Sequence, residues 1–74
     1  MNVSGMNVLV MGLGRFGGGL GVTRWLLEQG ADVLLTDLLS EEELRPHLEQ
    51  LGTHEKLRCV FGEHRIKDFE QADL

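Results

Sequence analysis

The chain has one cysteine, one proline, one tryptophan and no tyrosine. Cys59 alone rules out a disulfide within the chain, and with no ligand spacing to a histidine pair it makes no zinc site. Its place in the apolar run Leu57–Phe61 reads as a buried, inert thiol in a reducing compartment. Basic residues are few: seven Lys and Arg stand against twelve Asp and Glu, a net charge of −5. They are scattered, so no basic patch exists to neutralise a nucleic-acid backbone. No charged leader precedes an apolar stretch, and no apolar run approaches the roughly 18 residues that would cross a bilayer. The expected setting is cytoplasmic, with no membrane and no nucleic-acid partner. There is no Ser-His-Asp set, no Cys-His pair and no G-x-x-x-x-G-K-[ST] loop, so nothing in the chain is equipped to make or break a covalent bond. Its 74 residues allow one domain at most.

Glycine is what the chain has in excess: six of its ten glycines fall within Gly12–Gly21. Before them, Val8–Met11 is a continuous apolar run that suits a parallel strand buried on both faces. Behind them, Leu20 to Gln29 has helical spacing, with Val22, Trp25 and Leu26 as its apolar stripe, Leu20 and Leu27 beside it, and Gly30 as the stop. Ala31–Thr36 is a second strand, closed by Asp37. Ser40 and Glu43 form a capping box ahead of the stripe Leu44, Leu48 and Leu51, and Gly52 ends it. Pro46 interrupts this segment, so the regular helix is expected to begin there, with Pro46 at its first position after a capped turn. Leu57–Phe61 is a third strand and Ile66–Gln71 a short helical turn. Ala72-Asp73-Leu74 resembles the entry to a further strand, the pattern of a segment cut from a longer protein. The order β-α-β-α-β-α predicts an α/β, three-layer, Rossmann-like unit over residues 1–74, with a parallel sheet and right-handed crossovers.

Gly12-x-Gly14-x-x-Gly17 lies between the first strand and the first helix, the context a nucleotide-binding turn requires. Gly12 permits the tight turn, Gly14 lets backbone approach a phosphate, and Gly17 is expected to let helix and strand pack closely. Gly18 and Gly19 extend the turn, delaying the helix and widening the nest of backbone N–H groups. The helix N-terminus adds partial positive charge at the same place. Arg15 is either a phosphate ligand or a solvated loop residue. Asp37, twenty residues past Gly17, can accept hydrogen bonds from a ribose or from a base N–H. No Arg follows it to take a 2′-phosphate, so a nicotinamide cofactor here would be NAD. His47, His54 and His64 share no metal spacing and read as surface residues, Trp25 reads as core, and Glu41–Glu43 as favourable charge at a helix start.

The stretch Val8–Asp37, with Leu26-Leu27-Glu28-Gln29-Gly30 and Val33-Leu34-Leu35-Thr36-Asp37, resembles the amino-terminal domain of the Mur ligases. The tail Gly62-Glu63-His64, Asp68-Phe69 and Ala72-Asp73-Leu74 fits the same family, on its D-glutamate-adding branch. That resemblance implies a cytoplasmic, ATP-dependent, amide-forming ligase of peptidoglycan synthesis. It would activate UDP-N-acetylmuramoyl-L-alanine as an acyl phosphate and join it to D-glutamate. Residues 1–74 would anchor the UDP part and do no chemistry, while ATP and Mg would be held by other domains of the ligase. By resemblance, Gly12, Gly14, Arg15, Phe16, Gly17 and Gly18 would line the diphosphate, Asp37 would accept from the uracil imide, and Leu38 would lie beside the base. Two other readings fit the turn. The nucleotide-sensing domains of potassium-transport regulators bind NAD or ATP and share the string Gly-Leu-Gly-Arg-Phe-Gly-Gly, and an NAD-dependent dehydrogenase fits the turn and Asp37. The segment Gly62-Glu63-His64-Arg65 favours the ligase over both.

Overall fold

A computed structural model describes residues 2–13 and 18–74. The chain runs β1 (Asn7–Met11), α1 (Leu20–Glu28), β2 (Asp32–Asp37), α2 (Glu41–Leu51), β3 (Leu57–Phe61) and α3 (Ile66–Gln71). The three strands form one parallel sheet in the order β1-β2-β3, with Val10 opposite Leu35 and Leu35 opposite Cys59. This is the Rossmann-like α/β unit expected from the alternation of elements.

Residues alternate across the sheet, as a period of two demands. Val33 and Leu35 of β2 face α1 and α2, joining Val8, Leu26 and Ala31 in one cluster and Leu13 and Leu44 in another. Asp32 and Leu34 face the other way, sharing a cavity of about 90 Å³ with Asp68 and Gln71 of α3. The sheet is therefore the middle of three layers. Burial of a leucine such as Leu13, Leu35 or Leu44, each fully removed from solvent, contributes about 1.5–3 kcal/mol. Val3 also belongs to this core, held by a turn in which Gly5 N–H donates to the Gly30 carbonyl at 2.9 Å.

Helix α1 ends as Gly30 requires. Gly30 N–H donates to Leu27 O and Ala31 N–H to Leu26 O, both at 3.1 Å, the pairing of a Schellman stop with glycine at φ +85°. At the sheet edge beside β1, Asp73 N–H donates to Asn7 O at 2.7 Å and Leu9 N–H to Leu74 O at 3.0 Å. Residues 72–74 thus begin to line β1 in the manner of a further strand.

Three expectations need correction. Pro46 does not open α2 but lies inside it, six residues after the Ser40 cap. The capping box and the buried Leu44 and Leu51 hold the helix on both sides of the one missing N–H donor. Trp25 is not core: it is 49% exposed, and Val22 is exposed with it. The buried face of α1 runs through Thr23 and Leu26 instead, because the Thr23 hydroxyl donates to Gly19 O at 2.8 Å and so can be buried without loss. Cys59 is exposed on the outer strand of the sheet. Partial desolvation, and then the charge of Glu41, push its thiol above the usual range and so favour the protonated form.

Candidate functional site

In a parallel sheet, functional loops collect at the carboxyl ends of the strands. Here that end joins the two stretches singled out in the sequence. Gly12 leaves β1 at φ +94°, a conformation that only glycine adopts readily, and its N–H donates to Thr36 O at 2.7 Å. Thr36 immediately precedes Asp37, so the start of the glycine turn and the acid are tied to the same strand end. Leu13 turns inward and is completely buried against Leu35 and Leu44. Gly19 N–H then donates to Leu13 O at 2.8 Å, closing the loop back on itself.

Backbone approaches backbone closely at Gly19; Gly17, given helix–strand packing from the sequence, lies outside the described residues. A methyl group on Gly19 would run into the Gly12 carbonyl oxygen and come within 3.0 Å of Leu13 Cα. Gly19 is also the N-cap of α1, which has no side-chain cap and no acidic residue in its first turn. The N–H groups of a helix's first turn have no acceptor within the helix, so this end is suited to an anion. Gly18 is exposed, with open space around it. Gly14, Arg15, Phe16 and Gly17 lie outside the described residues.

Asp37 is 6% exposed, at the tip of β2. Its Oδ1 accepts from Leu39 N–H at 2.9 Å, which bends the chain beyond it and leaves Leu38 exposed at the rim. The β3–α3 turn doubles back against this tip. Gly62 N–H donates to Asp37 O at 2.8 Å and shares a 3.2 Å contact with Leu39 O, and Glu63 bridges antiparallel to Asp37. Thr36 Oγ1 and His64 Nδ1 are 2.7 Å apart. With Thr36 only 1% exposed, this hydroxyl is no nucleophile; the pair is a tether. Just beyond, Arg65 holds the buried Asp68 with two contacts at 2.9 and 3.1 Å, and that pairing raises the guanidinium's proton affinity further.

Of the residues expected to form the site, Gly12, Gly18, Asp37 and Leu38 are thus placed around one end of the sheet. Gly19 was expected only to extend the turn and its N–H nest, and His64 was not expected at the site. Gly19 follows the three-glycine pattern rather than belonging to it, and His64 meets Thr36 across 28 residues of sequence with no spacing to announce it. Among the described residues, no group of three His, Cys, Asp or Glu is arranged to hold a metal ion, and no helix is long and apolar enough to cross a membrane.

No family model matches the chain, and no solved structure matches it significantly. Curated proteins do. The chain is 49% identical over 74 residues to the UDP-N-acetylmuramoylalanine–D-glutamate ligase of Roseiflexus sp. (strain RS-1). It is 42% identical over 73 residues to the ligase of that name from Borreliella burgdorferi (strain ZS7), and 40% over 74 to that of Geobacter metallireducens. These matches take in 97–100% of the chain but only 16% of each relative, so the chain spans about one sixth of their length. The resemblance to the Mur ligases holds along the whole chain, which is a homologue of the amino-terminal domain segment of UDP-N-acetylmuramoylalanine–D-glutamate ligases.

Proposed function

We propose that this chain anchors the UDP moiety of UDP-N-acetylmuramoyl-L-alanine for a cytoplasmic, ATP-dependent ligase that adds D-glutamate during peptidoglycan synthesis. The observation that carries the reading is the bond from Gly12 N–H to Thr36 O, 2.7 Å long, next to the buried Asp37. It ties the first glycine of the turn and the proposed base acceptor to the same strand end. The uncapped start of α1 offers N–H groups and partial positive charge to the diphosphate. Asp37 accepts from the uracil N3–H, and the exposed Leu38 covers a face of the base.

In this reading the chain touches no reacting atom. Binding energy gained at the remote nucleotide holds the substrate carboxylate in place for activation, converting part of an encounter into a positioned reaction. ATP, Mg and D-glutamate are left to the rest of the ligase, which would be this segment's partner. The test is titration of the ¹⁵N-labelled chain with UDP, and separately with NAD and ATP at equal concentration. UDP should shift the amides of Gly12, Gly18, Gly19 and Asp37–Leu39, while NAD and ATP leave them in place. Saturable NAD shifts with no response to UDP would defeat the reading in favour of a nucleotide-sensing domain.

A further inference from the structure

His64 sits outside the glycine turn and does not belong to β2, yet it is tied to the residue on which both depend. Thr36 is a node: its carbonyl accepts from Gly12 N–H at 2.7 Å, and its hydroxyl meets His64 Nδ1 at 2.7 Å. Successive strand residues point to opposite faces, so Thr36 faces the α3 side while Asp37 faces the α1–α2 side. A tether on Thr36 therefore fixes the rotation of the strand end about its own axis. That rotation, together with the Leu39 N–H bond to Oδ1, sets where the Asp37 carboxylate points on the far face. The same turn holds the Asp37 main chain through Gly62 N–H at 2.8 Å, so side chain and backbone of one short segment, 62–64, grip consecutive residues. His64 itself is half-buried, whereas Thr36 is fully enclosed, so the imidazole can be changed without opening the core.

We propose that His64 is a positioning residue for nucleobase recognition: through Thr36 it fixes the direction of the Asp37 carboxylate toward an imide N–H, without touching the ligand. The proposal rests on the UDP reading above. It predicts a loss confined to the base, because the diphosphate is held by backbone N–H groups of the glycine turn and α1.

The experiment compares UDP with N3-methyl-UDP, which lacks the imide N–H, on the wild-type chain and on His64→Ala, His64→Asn and Thr36→Val. Affinities come from amide shifts at Asp37–Leu39 and Gly18–Gly19. The wild type should prefer UDP. His64→Ala should weaken UDP about five- to ten-fold, the worth of one well-made hydrogen bond, and leave N3-methyl-UDP unchanged, so that the preference collapses. His64→Asn places Oδ1 close to the position of Nδ1 and should restore most of the preference. Thr36→Val should match His64→Ala, and the double variant should lose no more than either single one. Unchanged preference in His64→Ala, or an equal loss for both ligands, overturns the positioning role. Should His64→Ala fail to give a dispersed spectrum, the contrast between His64→Asn and Thr36→Val decides in its place: equal preferences in the two overturn the role. A wild-type chain that ignores UDP brings down the UDP reading itself and this proposal with it, an outcome distinct from a wild type that discriminates and a His64→Ala that does so equally.

Discussion

Helices α1 and α2 lie on the same side of the sheet but begin in opposite ways. α2 is closed by its own side chains: Ser40 accepts from Glu43 N–H at 3.2 Å, Glu43 reaches back to Ser40 N–H at 3.3 Å, and three glutamates fill the first turn. One of its orphan donors, Glu43 N–H, and its positive end are met by its own side chains before any ligand arrives. α1 begins on Gly19, with no cap and no acid. A glycine cap gives up only a few tenths of a kcal/mol against Ser or Asp, and a larger residue at position 19 would collide with the Gly12 carbonyl. In the proposed reading the open start of α1 is left to the diphosphate, whereas α2 is closed by its own residues.

The comparison can be broken most forcefully at Gly19. Gly19→Val drives a side chain into the Gly12 carbonyl and the Leu13 backbone, and should cost about 3 kcal/mol while abolishing the UDP response. Urea unfolding followed by titration measures both, and an unchanged midpoint would mean that the close approach of helix and strand is not needed. A milder change makes α1 imitate α2. Gly21 is on the helix with open space around it, so Gly21→Glu adds an acid to the first turn without a clash. Stability should rise by about 0.5–1 kcal/mol through better helix propensity and the helix dipole. UDP affinity should fall about ten-fold from repulsion at the diphosphate. Opposite signs for the two measurements are the signature; a parallel rise in both would show that the anion sits elsewhere. The smallest effect is expected at the other helix. Ser40→Ala should lose about 1 kcal/mol in thermal or urea unfolding and leave UDP affinity untouched, and a loss of affinity would blur the division between the two helices.

How much of this was legible in the sequence depended on the range of the interaction. Leu57–Phe61 and Ile66–Gln71 were read with their observed limits, and β1 and β2 to within a residue, because apolar runs and bounding glycines are local signals. The capping box of α2 is equally local, since Ser40 and Glu43 meet within one turn. Trp25 misled because periodicity assigns a helical face by hydrophobicity. It cannot see that the Thr23 hydroxyl is satisfied by Gly19 O, which rotates the buried face by one position. Cys59 misled because an apolar strand reads the same whether it is central or, like β3, at an edge. At the site, Gly12 and Asp37 were visible through strand, turn and spacing. Gly19 was visible as an extension of the turn that delays the helix, but its close packing against Gly12 and Leu13 was not, and neither was His64, whose partner lies 28 residues away.

Leu13 carries a kinetic consequence. It sits between Gly12 and the residues that lead to α1, and it is completely enclosed with Leu35 and Leu44. Its carbonyl holds the Gly19 amide at 2.8 Å, and the Gly12 amide is held by β2. Both bonds adjoin the anchored Leu13, so breaking them is expected to be costly while its side chain stays in the hydrophobic interior. Their hydrogen–deuterium exchange should therefore keep time with opening of the sheet as a whole, unlike exchange at exposed turns. A ligand that binds the turn would slow that shared opening, so occupancy at the nucleotide end would be readable in the exchange of Leu35, deep in the interior.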